Sequence, residues 1–203
     1  MKKIMFNDRY GLTQAVLDGR KTMTRRIIPQ KVVEYALTTY REEYYSAALD
    51  YLSDKECLEG YLLTEKHSYY KVGDVVAIAQ SGKCIYCQLQ QRYGVTSDAA
   101  LGFKEMYQGM AFWTNKMFTP ADLCPNKIQI NGLSIECIQD VSDEDCLKEG
   151  IIKNLGYRFD TPHGECVRSN PRDAFACLID CVSGKGTWEC NPWVLVCSFN
   201  LVK

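Results

Sequence analysis

The sequence predicts an α+β fold, a small mixed β-barrel with peripheral helices, formed by a single domain over residues 1–203. Two observations lead to this prediction. Segments of alternating apolar residues, typical of strands, are interrupted by segments with apolar residues at helical spacing. Their order lacks the regular strand-helix alternation of a doubly wound sheet, and a small barrel accommodates it better. The hydrophobic share of 46% is sufficient for a core.

The N-terminal elements are short. A strand is predicted over residues 3–7. Apolar residues at helical spacing then predict a helix that ends at Gly19, because glycine adopts the left-handed conformation without a Cβ clash. Residues 22–28 alternate well enough for a second strand, which Pro29 ends.

Two blocks, at about 30–70 and 81–125, are interpreted as insertions into the domain. The first is rich in charge and in tyrosine, and its 33–52 part can be helical. It either packs over or beside the functional site, or forms a solvated two-helix excursion whose tyrosines cover the edge of the core. The second block is irregular, because several glycines and a proline interrupt it. The tyrosines of the first block are Tyr35, Tyr40, Tyr44, Tyr45, Tyr51, Tyr61, Tyr69 and Tyr70.

Strands are also predicted in the second half of the chain. A turn over 71–74 leads into a buried strand over 75–79. Residues 127–137 contain two alternating runs separated by Asn131-Gly132, so they form either a bulged strand or a tight hairpin. A closing strand over 193–202 has one apolar, buried face.

Two helices are predicted between these strands. Ser142 can cap a helix whose first turn is acidic and which Gly150 closes. Asn170-Pro171 opens a second helix with an apolar stripe, and Gly184 ends it.

Composition excludes some classes of protein. The formal net charge of −1 and the pI of about 6.2 argue against a protein that is basic overall, so nucleic acid could bind only through a local patch. No apolar run is long enough to span a bilayer, and the first residues lack the apolar core of a signal peptide. We therefore expect a cytoplasmic protein without a membrane partner. Eleven cysteines, an odd number, then favour reduced thiols over a disulfide framework.

The local patch runs from Asp18 to Arg26. Four cations fall within seven residues and are interleaved with two threonine hydroxyls. Such a cluster is suited to binding an anion, and phosphate is the leading candidate. The four cations are Arg20, Lys21, Arg25 and Arg26.

The pattern Gly-x-Lys-x-x-x-x-Arg, formed by Gly19, Lys21 and Arg26, resembles the signature of ASCH domains, which share the PUA-like barrel. Further stretches are similar to the larger ASCH-type proteins common in phages and prophages. These stretches are residues 138–150, 172–175 and 184–193. The resemblance implies a PUA-like barrel with two insertions, and an RNA- or nucleotide-directed role.

One small bacterial branch of this family hydrolyses the acetyl amide of 4-acetylcytidine with a lysine, a threonine and a glutamate. The resemblance places that lysine and threonine on Lys21 and Thr24, which become the candidate catalytic residues. It places the glutamate on Gln129, which has no carboxylate. Asp74 and Glu136 are the substitutes considered for that acid.

Two roles stay open for Lys21. It is a reactive amine if burial or neighbouring cations lower its pKa well below the ordinary value, and otherwise a fixed charge that clamps a phosphate. A regular strand would put Lys21 and Thr24 on opposite faces, so they meet only if the chain turns between them. Arg25 and Arg26 point to opposite sides of a regular strand. We assign Arg26 to the cleft, and Arg25 is expected to pair with a surface acid.

A second basic element is Lys185, which lies between two glycines before Trp188. A flexible basic loop beside an aromatic ring could stack an RNA base. Cys84-x-x-Cys87 has the spacing of a zinc knuckle, but without a second pair we expect no metal, and no cofactor. The candidate binding residues are Gly19, Arg20, Arg25, Arg26, Gln129, Lys185 and Trp188.

Three functions follow as hypotheses. The first is an ASCH-type protein that binds RNA or a modified nucleoside or nucleotide in a basic cleft. The second is an amidohydrolase acting on an acylated nucleoside such as 4-acetylcytidine, with Lys21 as the reactive group. The third is a phage accessory protein that binds another protein through the tyrosine-rich insertion.

Overall fold

The computed structural model describes residues 1–43, 52–64 and 67–202, which form an α+β fold. The helices are α1 (Leu12–Leu17), α2 (Gln30–Glu43), α3 (Asp54–Leu62), α4 (Gly82–Tyr93), α5 (Asp98–Tyr107), α6 (Asp143–Lys148) and α7 (Pro171–Ser183). The strands are β1 (Lys3–Ile4), β2 (Met23–Ile27), β3 (Val75–Ile78), β4 (Lys127–Cys137), β5 (Ile152–Lys153), β6 (Tyr157–Thr161), β7 (Gly164–Arg168) and β8 (Trp193–Val202).

The chain forms two compact units. The first consists of residues 1–7, 75–128 and 201–203, and the second of residues 8–74 and 129–200. Strands β4 and β8 contribute residues to both units. The sequence predicts a single domain with two insertions. This remains a prediction, because the division into two compact units does not test it.

In the first unit, β1 pairs in parallel with β3, with Ile4 opposite Ile78, and both side chains are buried. The block over 81–125 is more helical than the sequence suggested. Ser81 and Ser97 cap α4 and α5, since each side chain accepts a hydrogen bond from a backbone N–H of the first turn. The expectation of an irregular block was therefore wrong for these two helices, because the caps outweigh the glycines.

In the second unit, β8 lies between β4 and β2, and β2 pairs with β8 in antiparallel fashion. The prediction of a strand that ends before Pro29 is confirmed by β2. Strand β4 is one continuous strand from Lys127 to Cys137, so the hairpin alternative was wrong. The predicted closing strand over 193–202 is confirmed by β8.

Helices α2 and α3 pack on β4 through a buried apolar cluster, formed by Val33, Ala36, Leu58, Tyr61 and Ile135. The two-helix alternative for the tyrosine-rich block therefore fits its described residues. Ser53 begins α3 with a capping box that Glu56 completes. Tyr44, Tyr45 and Tyr51, with the 44–51 part of the predicted helix, lie outside the described residues.

A second, antiparallel sheet of β5, β6 and β7 follows α6. The sequence had given no expectation for this segment, whose strands are short and mostly exposed. One apolar residue, Phe159, is buried at the centre of β6. Tyr10 packs edge-on against the Phe159 ring at a centroid distance of 6.3 Å.

The strand order is open at β1 and β2, so the strands of the described residues do not close into a barrel. The small mixed barrel expected from the sequence is therefore replaced by an open sheet in these residues. In the same part of the chain, each helix is too short or too polar to cross a bilayer.

Candidate functional site

The site begins at the turn between α1 and β2, where the sequence placed Gly19. Gly19 has a φ of +73°, as expected for a glycine that ends a helix. The backbone N–H groups of Arg20 and Lys21 both donate to Ala15 O at 2.9 Å. Thr22 N–H then donates to Lys148 O at 2.9 Å. These bonds turn the chain so that the Lys21 side chain points inward, with an exposed fraction of 2%.

Helix α6 brings the opposite charge to this turn. Ser142 caps the helix by accepting a hydrogen bond from Asp145 N–H at 3.1 Å. Glu149 follows the last turn, and its N–H donates to Asp145 O at 2.9 Å. Gly150 adopts a φ of +108°, which strongly favours glycine, and an added Cβ there would contact Lys21 Cβ at 3.7 Å. The chain reversal at Gly150 therefore holds Glu149 beside Lys21.

Lys21 and Glu149 form a buried ion pair. Lys21 Nζ donates to Glu149 Oε2 at 2.5 Å and to the Glu149 carbonyl oxygen at 2.8 Å. Their side chains are only 2% and 5% exposed. Burial lowers the pKa of Lys21 below its ordinary value, although the Glu149 carboxylate opposes this shift, and the charges of Arg26 and Arg25 add to the lowering. Lys21 is thus a desolvated amine held against a carboxylate.

Arg25, on β2, shares the Glu149 carboxylate with Lys21 and is enclosed by carboxylates. Its Nε donates to Glu136 Oε1 at 2.7 Å, and its two terminal nitrogens lie 3.2 Å from Glu149 Oε1 and 3.3 Å from Asp145 Oδ2. The guanidinium, with no exposed side-chain area, also lies 5.9 Å from the Phe175 ring centroid. Burial acts to lower the pKa of Arg25, but Glu149 and Glu136 outweigh it and raise that pKa. The expected surface pair is in fact a buried network.

The surrounding acids balance the cluster of cations. Glu149 and Asp145 from α6, with Glu136 from β4, meet the two buried cations, and Lys148 Nζ bonds Asp145 at 2.9 Å. The phosphate-clamp role of Lys21 assumed a local surplus of positive charge. Around Lys21 and Arg25 that surplus is offset, because the fold supplies carboxylates from distant parts of the chain.

Arg26 lies on the opposite side of β2 from Arg25 and lines a pocket of about 270 Å³. The other walls are mostly apolar, with three polar side chains from the segment after α3. The lining includes Arg26, Ile28, Leu62, His67, Tyr69 and Leu195. Burial raises the pKa of Tyr70 and of Cys197 to about 12, and in both cases the charge of Arg26 opposes the shift. The same charge lowers the pKa of Lys21, so the electrostatic influence of Arg26 reaches both the pocket and the ion pair.

Thr24 is buried on β2 opposite Cys197, on the same face as Arg26. Strand β2 begins only at Met23. The argument that strand alternation separates Lys21 from Thr24 therefore does not apply, since Lys21 precedes the strand. Both side chains are almost fully buried, at 2% and 5% exposure.

Other predicted residues lie at the surface. Arg20 is exposed and pairs with Asp18 at 3.2 Å. Gln129 is exposed on β4, where its amide nitrogen lies 3.5 Å from Gly73 O. Asp74 accepts a hydrogen bond from Lys71 N–H in the turn before β3. The carboxylate that meets Lys21 is therefore Glu149, and not a group at the Gln129 position.

Lys185 is exposed in the turn after α7, as expected for a basic loop. Trp188 is half-buried. Its backbone N–H donates to Asp180 Oδ1 at 2.9 Å, and its ring meets the Phe175 ring edge-on at a centroid distance of 6.2 Å. The Arg172 guanidinium covers the Trp188 ring at 5.9 Å from the centroid. These contacts give Trp188 a packing role in the structure.

Cys84 and Cys87 are exposed on α4. Within residues 1–43, 52–64 and 67–202, no three side chains of histidine, cysteine, aspartate or glutamate are grouped closely enough to hold a metal ion.

Sequence reasoning missed Glu149 as a site residue, although it treated the Glu149-Gly150 pair as a helix end. A signal was present. A carboxylate at the C-terminal end of a helix faces the negative end of the helix dipole, so it is unfavourable unless a cation compensates it. Lys21 and Arg25 are those cations.

No protein-family model, curated protein or solved structure matches this chain.

Proposed function

We propose that this chain is an ASCH-type protein with a PUA-like core that acts as an amidohydrolase on an acylated nucleoside. The observation that carries the proposal is the buried pair of Lys21 Nζ and Glu149 Oε2 at 2.5 Å. The resemblance associates a lysine, a threonine and a glutamate with hydrolysis of 4-acetylcytidine. The proposal assigns these roles to Lys21, to Thr24, which is buried on β2, and to Glu149 in place of a group at position 129. The open strand order of the described residues would then be a modified form of the PUA-like barrel.

The environment of Lys21 favours a role in proton transfer over a role in anion binding. A fixed phosphate clamp needs an ammonium free of protein carboxylates, whereas Lys21 already contacts one. Burial lowers the pKa of Lys21, which increases the neutral fraction that can accept a proton. Glu149 lies within hydrogen-bond distance, so it can pass that proton on.

The proposed reaction is the addition of water to the acyl carbon of the substrate. Lys21 in its neutral form takes a proton from the attacking oxygen, and the bond between the acyl carbon and the exocyclic nitrogen breaks. The departing nitrogen receives a proton through Glu149 or Lys21. The products are a carboxylic acid and a nucleoside with a free amino group, so atoms and protons balance without a cofactor.

The pocket beside Arg26 is the proposed place for the nucleoside. Lys21 and Glu149 do not line this pocket, and Arg26, whose charge acts on Lys21, is the link between the two. Its volume of about 270 Å³ is close to the lower end of the roughly 300–1,000 Å³ typical of ligand sites. Tyr69 and His67 offer flat aromatic surface for a base, and Leu62 and Leu195 provide apolar walls. Arg26 can donate two hydrogen bonds to a carbonyl or phosphate oxygen.

The test is to incubate the protein with 4-acetylcytidine and to follow acetate and cytidine by chromatography. We expect turnover by the native protein. Lys21→Met and Glu149→Gln should each lower kcat/KM by about 100-fold or more, the range for losing a general acid or base. Lys31→Met, which removes an exposed lysine of α2, is the matched control and should keep full activity.

Two outcomes would overturn the hydrolase. One is a native protein that releases no acetate from the nucleoside, its 5′-monophosphate or an RNA containing it. The other is full activity in both Lys21→Met and Glu149→Gln. Circular dichroism of each variant separates lost chemistry from lost folding, and Glu149→Gln keeps the shape of the side chain.

A second candidate function is binding of a nucleotide without turnover, and the Arg26 pocket favours it. We expect cytidine 5′-monophosphate to bind the native protein in calorimetry. Arg26→Met should weaken that binding at least about tenfold, because a charge-assisted hydrogen bond is worth roughly 1.5–3 kcal/mol. Arg20→Met is the control, since Arg20 is exposed and paired with Asp18. Equal affinity in all three proteins would contradict this function.

A further inference from the structure

Three cysteines converge in the second unit, away from the residues used above. Cys166 lies on β7, and Cys177 and Cys181 lie one turn apart on α7. The sulfur atoms of Cys166 and Cys177 are 3.4 Å apart. Cys181 lies near Cys177, which contributes to raising the pKa of the Cys181 thiol.

The cluster is accessible from one side. Cys181 is exposed, and Cys166 and Cys177 are half-buried. The Arg168 guanidinium donates to Cys177 Sγ at 3.4 Å, a contact that strengthens as this sulfur gains negative charge. Burial raises the pKa of Cys166 to about 11, and burial also raises that of Cys181, so these two thiols are protonated at neutral pH. The charge of Arg168 opposes both of these rises, and its guanidinium makes its described contact with the central sulfur, that of Cys177.

We propose that Cys166 and Cys177 are a redox modification site, which forms a reversible disulfide when the protein meets an oxidised low-molecular-weight disulfide such as glutathione disulfide. The thiols are separate in the structure, as expected for the reduced state. A disulfide needs the two sulfur atoms at about 2.0 Å, and rotation about the side-chain bonds of two neighbouring cysteines can supply such an approach.

The exchange proceeds in two balanced steps. Cys177 loses its proton, and its thiolate attacks one sulfur of glutathione disulfide, whose S–S bond breaks to release one glutathione. Cys166 then loses its proton and attacks Cys177 Sγ, which releases the second glutathione. Two protein thiols are oxidised, one glutathione disulfide is reduced to two glutathiones, and the protons pass to the released thiolates.

The bond would link β7 to α7 across 11 positions of the chain. Helix α7 also carries Phe175, whose ring lies against the Arg25 guanidinium. The modification would therefore fix the helix that packs on the buried ion network. This inference does not depend on the proposed hydrolase, because it follows from the thiol geometry alone.

The test is to equilibrate the native protein with mixtures of glutathione and glutathione disulfide, and then to denature it and block all remaining thiols with iodoacetamide. We expect two of the eleven thiols to be lost. Peptide mapping by mass spectrometry should find the Cys166 peptide joined to the Cys177 peptide. An unchanged count of eleven thiols, or a bond joining other cysteines, would overturn the proposal.

Variants provide the matched comparison. Cys177→Ser should abolish the loss of two thiols, whereas Cys87→Ser, which removes an exposed cysteine of α4, should still lose two. Cys181→Ser should also form the bond, because Cys166 and Cys177 remain. If the disulfide forms in the native protein but not in Cys181→Ser, the assignment of the bond to Cys166 and Cys177 is contradicted. Peptide mapping of the native protein tests the proposal even if one of these variants folds poorly.

Discussion

The chemistry of single residues in this protein depends on charges that compensate one another below the surface. Lys21 and Arg25 carry two cations into the fold, and Glu136, Asp145 and Glu149 meet them. A buried ion pair adds little net stability compared with apolar packing, because both charges lose their hydration. Removing one member is costly, however, since it leaves the partner desolvated and unpaired.

Replacing Arg25 with methionine should therefore destabilise the fold strongly. Arg25 has no exposed side-chain area and bonds three carboxylates, so we expect a loss of about 3–5 kcal/mol in the free energy of unfolding. Urea denaturation measures this loss. Arg20→Met is the control, because Arg20 is 40% exposed and its pair with Asp18 should contribute only about 0–1 kcal/mol. Equal losses in the two variants would contradict the buried network.

The lowered pKa of Lys21 predicts a pH dependence of stability. At pH values between the folded pKa and the ordinary value near 10.5, the unfolded lysine keeps its proton while the folded one releases it. The unfolded state then binds more protons, so the free energy of unfolding rises with pH in this window. We expect the stability of the native protein relative to Lys21→Met to increase from pH 7 to pH 10.

This comparison is measured by urea denaturation of both proteins at each pH. Other titrating groups largely cancel in the difference, and Lys31→Met corrects for the general effect of removing a lysine. A difference that shrinks as the pH rises would show that the ion pair with Glu149, and not burial, dominates the protonation of Lys21.

Short elements position these residues. Helix α6 has only six residues, yet its Ser142 cap and the chain reversal at Gly150 fix the direction of Glu149. Helices α2 and α3 bury an apolar cluster against Ile135 of β4, and the segment after α3 supplies His67 and Tyr69 to the pocket. The described part of the tyrosine-rich block thus forms two helices that pack on β4, and its residues 67–69 also line the pocket beside Arg26.

The packing of α3 can be tested with Leu58→Ala. Leu58 is completely buried, so the substitution leaves a cavity and should cost about 2–5 kcal/mol in the free energy of unfolding. Leu155→Ala is the matched control in the same unit, because Leu155 is fully exposed and its loss should change stability by no more than about 0.5 kcal/mol. Chemical denaturation measures both, and a small effect at Leu58 would contradict the packing of α3.

The eleven cysteines are distributed over both units and differ in burial, so their reactivity can be used to test the fold. Four are buried, three are half-buried and four are exposed. Burial hinders a thiol reagent sterically, and it also raises the pKa of Cys146 and Cys197 to about 12, which suppresses the reactive thiolate. Accessibility should therefore divide the thiols into kinetic classes.

We expect Ellman's reagent to react quickly with about four thiols of the native, reduced protein, and with all eleven after denaturation. Mass spectrometry should identify the fast set as Cys84, Cys87, Cys181 and Cys190. Cys57, Cys124, Cys146 and Cys197 should react only as the protein unfolds. Rapid labelling of these four under native conditions would contradict the fold.

Local chemistry made much of this fold predictable. Gly19, Pro29, Ser142 and Gly184 each end or cap an element near the expected position, because glycine, proline and serine act on the backbone next to them. Strands β5, β6 and β7 carry no comparable local signal, because they are short and half of their residues are exposed. Capped helices α4 and α5 were missed because their glycines suggested irregular structure.

The candidate site likewise has features that the local sequence predicts and features that depend on tertiary packing. The sequence by itself determined that Lys21, Thr24 and Arg26 stand at the start of a strand after a left-handed glycine, since spacing and backbone preference are local properties. Only the tertiary structure decided which charges meet. It brought Glu149 to Lys21 across 128 positions, because burial of two charges depends on how distant segments pack and not on the sequence around either one.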